Sequence, residues 1–178
     1  MQFETNRLIL RPRTMDDFDA CLAMDRARGV VDFIAGPWDD PDQHRAFIRD
    51  RINQDYGVGL GYWSIFAKSD PARFMGWILL IPEDAVGPDI EIGWRLHPDY
   101  WGRGIAYEAA RTVMDHGLGH LELSRIVAAI DPDNTASRKL AARLGMVETG
   151  LRDEYVLHEI TLERYRQMQS EKPAGSAR

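Results

Sequence analysis

The most regular feature of this 178-residue sequence is an amphipathic helix that follows a glycine-containing turn. From Ala106 onward, apolar or small residues recur three and four positions apart, which is the period of a helix with one buried face. They are Ala106, Ala109, Ala110, Val113, Met114, Gly117, Leu118 and Leu121. Upstream, IEIGWRL (90–96) alternates apolar and other side chains, which predicts a strand with Glu91 facing away from the apolar row. A strand, a turn and a helix in this order indicate an α/β chain.

The remaining patterns predict one domain over residues 1–168, with the element order β-α-α-β-β-β-α-β-α-β. Further strands are expected at RLILRP (7–12), GLGYWSIFAK (59–68), FMGWILLI (74–81), RIVAAI (125–130) and YVLHEITL (155–162). Thr14 and Asp40 are the expected caps of two helices that run to about Met24 and Asp55. A short helix ends at Gly145, and 163–169 is helical or frayed. Residues 169–178 have little to bury and form a predicted disordered tail.

Composition restricts the classes of molecule that this protein is expected to bind. A hydrophobic fraction of 44% and a charged fraction of 28% suffice for one ordinary core, while the net charge of −6 argues against a sequence-blind nucleic-acid binder. We find neither a signal peptide nor an apolar run long enough to span a membrane. The single cysteine, Cys21, suits a reducing cytoplasm, and we expect it to be buried. We therefore expect a cytoplasmic monomer or homodimer that binds neither nucleic acid nor membrane.

The turn WGRGIA (101–106) has the chemistry of a phosphate-binding site. Gly102 and Gly104 let oxygen atoms approach the main chain, the start of the helix supplies unpaired N–H groups, and Arg103 adds charge at the rim. A Gly-x-Gly turn before a helix is about as often a plain tight connection. The dinucleotide fingerprint needs a small residue where Tyr107 stands, and the P-loop signature is absent. A regulator that binds ATP or NAD through this turn is therefore disfavoured.

The segments ETNRLILRP (4–12), GYWSIF (61–66), EIGWRLHPDYWGRGIAYEA (91–109) and DPDNTASRKLAARLGM (131–146) occur in an order that resembles the GNAT acetyltransferases. The resemblance covers roughly Thr5 to Leu162. It is most specific for the branch similar to ribosomal-protein N-terminal acetyltransferases. It implies an α+β GNAT fold with a mixed sheet of about seven strands, splayed apart at the strand that carries Glu91. It also implies acetyl-CoA as the acyl donor and an amine as the acceptor.

The resemblance assigns roles to residues along the cofactor. The family's Gln/Arg-x-x-Gly-x-Gly/Ala motif wraps the coenzyme A pyrophosphate, and the matching residues here are Trp101, Gly102, Arg103, Gly104, Ile105 and Ala106. The strand bearing Trp94 and Leu96 is expected to pair with the pantetheine amides, and one of its N–H groups would stabilise the oxyanion. Asn134 would hydrogen-bond the cofactor arm, a role compatible with capping the helix that follows it.

The chemical step implied by the resemblance is direct attack of the amine on the thioester within a ternary complex. Glu91 stands at the family's position for the base; the alternative is an exposed edge glutamate or one paired near Arg95. Many relatives supply a tyrosine six residues after the asparagine to protonate the thiolate, but that position is Leu140 here. Ser137 is the remaining candidate, and its alternative role is to cap a helix.

The acceptor is the least determined part of the prediction. Phe33 and Trp38 lie in the irregular segment where relatives shape the acceptor pocket, although both are also typical core residues. Carboxylates precede the second helix and the Glu91 strand, at Asp39, Asp40, Asp42, Glu83, Asp84 and Asp89. They favour an acceptor that arrives as an ammonium ion, or they merely keep the protein soluble. The five histidines are scattered, and we predict no metal site.

We therefore expect a peptide or protein N-terminal amine as acceptor. Two alternatives stay open: a small-molecule amine such as an amino acid, polyamine or aminoglycoside, or a non-catalytic acyl-CoA-binding module.

Overall fold

The computed structural model describes residues 1–171, which form one eight-stranded sheet and five α-helices. The strands are β1 Phe3–Glu4, β2 Leu8–Pro12, β3 Gly61–Ala67, β4 Asp70–Pro82, β5 Ile90–Leu96, β6 Arg125–Ile130, β7 Val147–Arg152 and β8 Tyr155–Thr161. The helices are α1 Phe18–Asp25, α2 Pro41–Asn53, α3 Ile105–Met114, α4 Thr135–Arg143 and α5 Leu162–Ser170. A π-helical segment, Asp115–His120, continues α3.

The sheet is mixed, in the order β1-β2-β3-β4-β5-β6-β8-β7. All its neighbouring strands are antiparallel except β5 and β6, which run parallel and pair at a single position, Glu91 with Val127. On its other edge β5 pairs with β4 along its whole length, from Ile90 to Leu96. Beyond Glu91, β5 and β6 therefore diverge, which confirms the predicted splay at this strand.

Helices cover both faces of the sheet because the strands present apolar side chains on both faces. In β4, Ile78 and Leu80 belong to the core shared with α3 and α4, whereas Trp77, Leu79 and Ile81 belong to the core shared with α1 and α2. Cys21 is fully buried in the second core, as expected, and burial raises the pKa of its thiol to about 11. Its thiol therefore packs against the sheet and stays protonated at neutral pH.

Two predicted caps are present. Thr14 forms a reciprocal capping box with Asp17, and the Asp40 carboxylate accepts hydrogen bonds from the backbone N–H groups of Asp42 and Gln43. The first turn after Thr14 is a 3₁₀ helix, so that α1 itself begins at Phe18.

The sequence patterns did not predict strands β1 and β7. β1 has only two residues, and β7 is mostly exposed and lacks an alternating apolar pattern. Helix α5 continues to Ser170, so the predicted tail is wrong at 169–170, and residues 172–178 lie outside the described residues.

Candidate active site

Two cavities meet where β5 and β6 separate. The Gly104 cavity has a volume of about 530 Å³ and lies against the turn before α3. The Glu91 cavity has a volume of about 390 Å³ and lies between β5, the end of β6 and the segment 33–35. The two share the lining residues Phe33, Ile34, Trp94, Arg95, Asn134 and Ser137. A molecule that lies in one cavity can therefore reach a molecule that lies in the other.

The turn that closes the Gly104 cavity has left-handed backbone at both glycines. Gly102 has a φ of 72° and Gly104, the N-cap of α3, has a φ of 75°, a region that other residues rarely adopt. A Cβ added to Gly102 would meet no atom within 4 Å, so the main chain faces open space. The first N–H groups of α3 have no acceptor within the helix, and the helix dipole makes this end positive. The turn is therefore suited to binding an anion.

Of the six residues predicted to hold the pyrophosphate, five line this cavity. They are Trp101, Gly102, Gly104, Ile105 and Ala106, together with Leu96 from β5. The indole Nε1 of Trp101 donates to the carbonyl of Leu96 at 2.9 Å, which ties the turn back to the strand. Arg103 does not line the cavity: its side chain is exposed, and its carbonyl accepts a hydrogen bond from Arg7 at 3.2 Å.

An ion pair fixes the turn from behind, through residues that the phosphate motif does not contain. Arg7, just before β2, pairs with Glu108 of α3 at 2.6 Å, and the hydroxyl of Thr5 donates to the same carboxylate at 2.5 Å. Because Arg7 also reaches the carbonyl of Arg103, the amino-terminal segment holds the start of α3 in place. Glu108 therefore has a structural role.

Glu91 lines the other cavity and is partly buried on β5. Burial, together with the nearby carboxylates of Glu83 and Asp84, raises the pKa of Glu91 to about 7. At neutral pH the carboxyl group is therefore close to its midpoint, where a group can both accept and release a proton. Gly93 follows on the same face, and its lack of a side chain leaves room for Leu79, whose Cγ lies 3.1 Å from the position of an added Cβ.

Three predicted residues meet where the cavities join. The Asn134 side chain caps α4 by accepting from the N–H of Ser137 at 3.1 Å. The Ser137 hydroxyl oxygen in turn accepts from the indole Nε1 of Trp94 at 3.2 Å. Because this oxygen is held as an acceptor, the hydroxyl proton of Ser137 is free to point into the cavity.

Comparison with known proteins identifies the family. The family model described as "Acetyltransferase (GNAT) domain" matches residues 7–147. The chain belongs to the GNAT acetyltransferase family. It is 36% identical over 171 residues to the "Uncharacterized N-acetyltransferase YoaA" of Bacillus subtilis, a match that covers 86% of each chain. This GNAT protein is accordingly an N-acetyltransferase, and acetyl-CoA is its acyl donor.

Solved structures give the same fold. An acetyltransferase from Agrobacterium tumefaciens superimposes with a TM-score of 0.77 at 26% identity, covering 90% of this GNAT chain and 94% of that one. The ribosomal-protein-S5-alanine acetyltransferase from Vibrio fischeri superimposes with a TM-score of 0.73 at 17% identity, covering 92% and 97%. At that identity the second match shows the fold alone.

The acceptor side of the GNAT site differs from the sequence prediction. Phe33 lines both cavities, but Trp38 lines neither, because its ring packs against His44 and Phe47 of α2 and its Nε1 donates to the carbonyl of Ile34. Asp39, Asp40 and Asp42 also line neither cavity. Of the six carboxylates expected near the cleft, Glu83 and Asp84 do line the Glu91 cavity, so the prediction is correct for these two residues of the loop before β5 and wrong for the segment before α2.

The carboxylates of the loop before β5 are largely paired. Arg152 of β7 binds both Glu83 and Asp89, and Arg125 binds Asp89 at 2.5 Å. Besides Glu91, three acidic residues that line the Glu91 cavity have no ion-pair partner in the described part of the chain. They are Asp84, Asp131 and Asp153. Asp131 and Asp153 were missed because each follows a strand and points to the cleft only once β6, β7 and β8 are assembled.

Residues 1–171 contain no group of three or more metal-ligating side chains close enough to hold an ion. None of the helices in the same residues combines the length and the hydropathy that a bilayer crossing requires.

Proposed function

We propose that this GNAT enzyme transfers the acetyl group of acetyl-CoA directly to the N-terminal amine of a peptide or protein, with both substrates bound at once. The observation that carries the proposal is the junction of the two cavities at the divergence of β5 and β6, with Glu91 on one side and the glycine turn on the other. A donor bound along β5 and an acceptor above Glu91 would meet there.

The cofactor end of the proposal rests on backbone chemistry. The pyrophosphate would bind the N–H groups at the start of α3, and the pantetheine amides would pair with the edge of β5 that faces away from β4. Trp94 and Leu96 lie along this edge, and the side chain of Asn134 lies opposite it. The amide N–H groups on that edge could stabilise the negative charge that forms on the thioester oxygen.

The chemical step uses two side chains. Glu91 accepts a proton from the ammonium group, either directly or through water, and the neutral amine attacks the thioester carbon. The new C–N bond forms, the C–S bond breaks, and coenzyme A leaves as a thiolate. The second proton on the amine nitrogen would pass to water as the C–S bond breaks. Ser137 would donate its proton to the thiolate and regain one from that water, since its oxygen is already held by Trp94, and the proton on Glu91 would return to solvent.

The choice of acceptor rests on two arguments. The motifs of this chain resemble the branch of ribosomal-protein N-terminal acetyltransferases, whose acceptors are protein amino termini. In addition, Asp84, Asp131 and Asp153 line the Glu91 cavity and have no ion-pair partner in the part of the chain that the structure describes, which favours a positively charged amine over a neutral or anionic group.

A thiol-release assay tests the proposal. Acetyl-CoA is supplied with peptides of different first residues, free amino acids, spermidine and an aminoglycoside, and free coenzyme A is measured. We expect turnover with peptides at a kcat/KM at least about tenfold above that of the other amines. If acetyl-CoA raises the melting temperature but no amine releases thiol, the chain is a binding module; if only small amines are acetylated, the assignment of the acceptor is wrong.

A further inference from the structure

A buried arginine, Arg95, lies at the junction of the two cavities. It is only 8% exposed, yet it lines both cavities. Arg95 lies on the same face of β5 as Glu91, four residues along the strand, which places their Cα atoms roughly 13 Å apart. Gly93 lies between them without a side chain. The side chain of Leu79 packs over Gly93, and the cavity beside these residues has a carboxyl group at one end and a guanidinium group at the other.

The position of this guanidinium is fixed by the protein. Asp25 of α1, which is fully buried, accepts a hydrogen bond from Nη1 of Arg95 at 2.7 Å. The second oxygen of Asp25 lies 3.1 Å from Nε2 of His44. The rings of Trp38 and Trp77 lie 5.0 and 4.9 Å from the guanidinium carbon, close enough for cation-π contact. Arg95 is thus held in one orientation before any substrate binds.

One part of the guanidinium has no partner. Nε of Arg95 is buried and makes no hydrogen bond in the described structure. A buried donor without a partner is costly, and a guanidinium has five N–H groups in a planar fork that suits oxygen atoms. The shared lining of the two cavities places this fork where an acceptor substrate must pass to reach a thioester. Nε itself is enclosed by protein atoms, whereas Nη2 is not fully buried and makes no hydrogen bond in the described part of the chain. An oxygen atom of the substrate would bind Nη2.

Charge indicates what kind of oxygen this is. Asp25 already balances the positive charge of Arg95, and the neighbouring cavity carries the unpaired carboxylates of Asp84, Asp131 and Asp153. A second carboxylate on the substrate would be repelled by these groups. A neutral carbonyl oxygen accepts the same hydrogen bonds without that repulsion.

We propose that Arg95 determines acceptor specificity by hydrogen-bonding the carbonyl oxygen next to the reacting amine, so that the enzyme selects α-aminoacyl amides over plain amines and free amino acids. This inference rests on the proposed function of the same site. The amine would lie toward Glu91 and the carbonyl toward Arg95. An amine and a carbonyl are neighbouring groups at the amino terminus of every peptide. Polyamines have the first group and lack the second.

The test compares acceptors that differ in the carbonyl group alone. Alaninamide, serinamide and phenylalaninamide are each measured against the amine that lacks the carboxamide, namely ethylamine, ethanolamine and phenethylamine. The free amino acids form a third set. We expect wild type to favour at least one amide over its amine by about 10- to 100-fold in kcat/KM, the range of a hydrogen bond to a charged group. Each amide should also exceed its free amino acid.

The Arg95→Lys variant keeps a positive charge for Asp25 and removes the planar fork. We expect the ratio of amide to amine to fall by about tenfold or more. Arg13→Lys is a matched control, because Arg13 is also 8% exposed, has an unpartnered Nε and lies over the ring of Tyr62, but lines neither cavity. Its ratio should equal that of wild type.

If Arg95→Lys does not fold, the pair Arg95→Gln with Asp25→Asn removes both buried charges together, and the same loss of preference is expected. Equal rates for amides and amines in wild type, a preference for the free amino acids, or an unchanged ratio in the folded variant would overturn the inference alone. Absence of turnover with every acceptor would overturn the proposed function, and this inference with it.

Discussion

At the scale of single residues, the proposed mechanism depends on one carboxyl group whose protonation is set by its surroundings. Glu91 occupies a partly buried position on β5 near Glu83 and Asp84, and both effects raise its pKa to about 7. A base with this pKa is half ionised at neutral pH and binds a proton strongly enough to remove one from an ammonium group.

This pKa predicts the pH dependence of a Glu91→Gln variant. In wild type, kcat/KM for a peptide should rise as pH increases through about 7, because only ionised Glu91 accepts a proton, and should fall above the amine pKa of about 8, because the acceptor then no longer arrives as an ammonium ion. Gln has a similar shape and no basic group, so the variant should lose the first step and about 10²-fold in kcat.

The pH profile is measured by thiol release from pH 5.5 to 9, with Glu163→Gln on α5 as a control that should match wild type. If Glu91→Gln keeps the step near pH 7, another group is the base.

Sequence patterns identified some of these residues and missed others for a definite reason. Alternation along 90–96 separated Glu91 from the apolar row, and the spacing from Asn134 to Ser137 placed both at the start of a helix, where they lie. The importance of Arg95 depends on Asp25, which is 70 residues away in the chain, and on rings from two further segments. No local pattern reports such contacts.

At the scale of elements, the turn into α3 combines unusual backbone geometry with exposed amides. Both of its glycines have φ in the left-handed region, at 72° and 75°. The turn was predictable because Gly-x-Gly before a helical period is a local signal. Strand β7 was not, because its residues are mostly exposed and its place depends on pairing with β8, from Val147 with Glu159 to Arg152 with Tyr155.

Replacing Gly104 by valine tests the turn. A β-branched residue at a φ of 75° is strained by about 1–2 kcal/mol and would tilt the N–H groups away from a bound phosphate. We expect the variant to fold with a slightly lower melting temperature and to lose the rise in melting temperature that acetyl-CoA gives to wild type.

The Gly57→Val variant is the control, because it introduces a similar backbone strain away from the cavities. Gly57 has a φ of 99° in a loop that lines neither cavity, so this variant should lose similar stability and keep its response to acetyl-CoA. A normal response in Gly104→Val would show that the turn does not bind the cofactor.

At the scale of the whole molecule, several acidic side chains without an ion-pair partner in the described part of the chain lie in the cavity that we propose for the acceptor. The chain has a formal charge of −6, and its acidic cavity lies at the open end of the sheet. The negative net charge follows directly from the composition. The placement of the acidic residues was predicted only in part. Glu83 and Asp84 of the loop before β5 line the cavity as expected, although Glu83 is paired with Arg152, whereas Asp131, from the end of β6, lines it without having been predicted.

Ionic strength should therefore affect the two substrates differently. We expect the KM for a peptide amine to rise as salt increases from about 20 mM to 0.3 M, because salt screens charges over roughly 10 Å at 0.1 M. Asp131→Asn should raise that KM about two- to threefold at low salt and flatten its dependence on salt.

Asp70→Asn, at the exposed start of β4 and outside both cavities, is the control and should behave as wild type. If the KM for the peptide changes neither with salt concentration nor in Asp131→Asn, the electrostatic argument is wrong.

The single pairing between β5 and β6 has a further consequence. A strand with one unpaired edge normally threatens a protein with aggregation, and proteins bury or shorten such edges. Here the unfinished edge of β5 lies in the interior, between two halves of one sheet, where another β-strand cannot enter because β6 and α4 stand beside it. The pantetheine arm proposed to bind there is thin and extended and carries amide groups. If the donor binds as we propose, it takes the place of a missing strand beside β5, and the sheet is continuous only while the donor is bound.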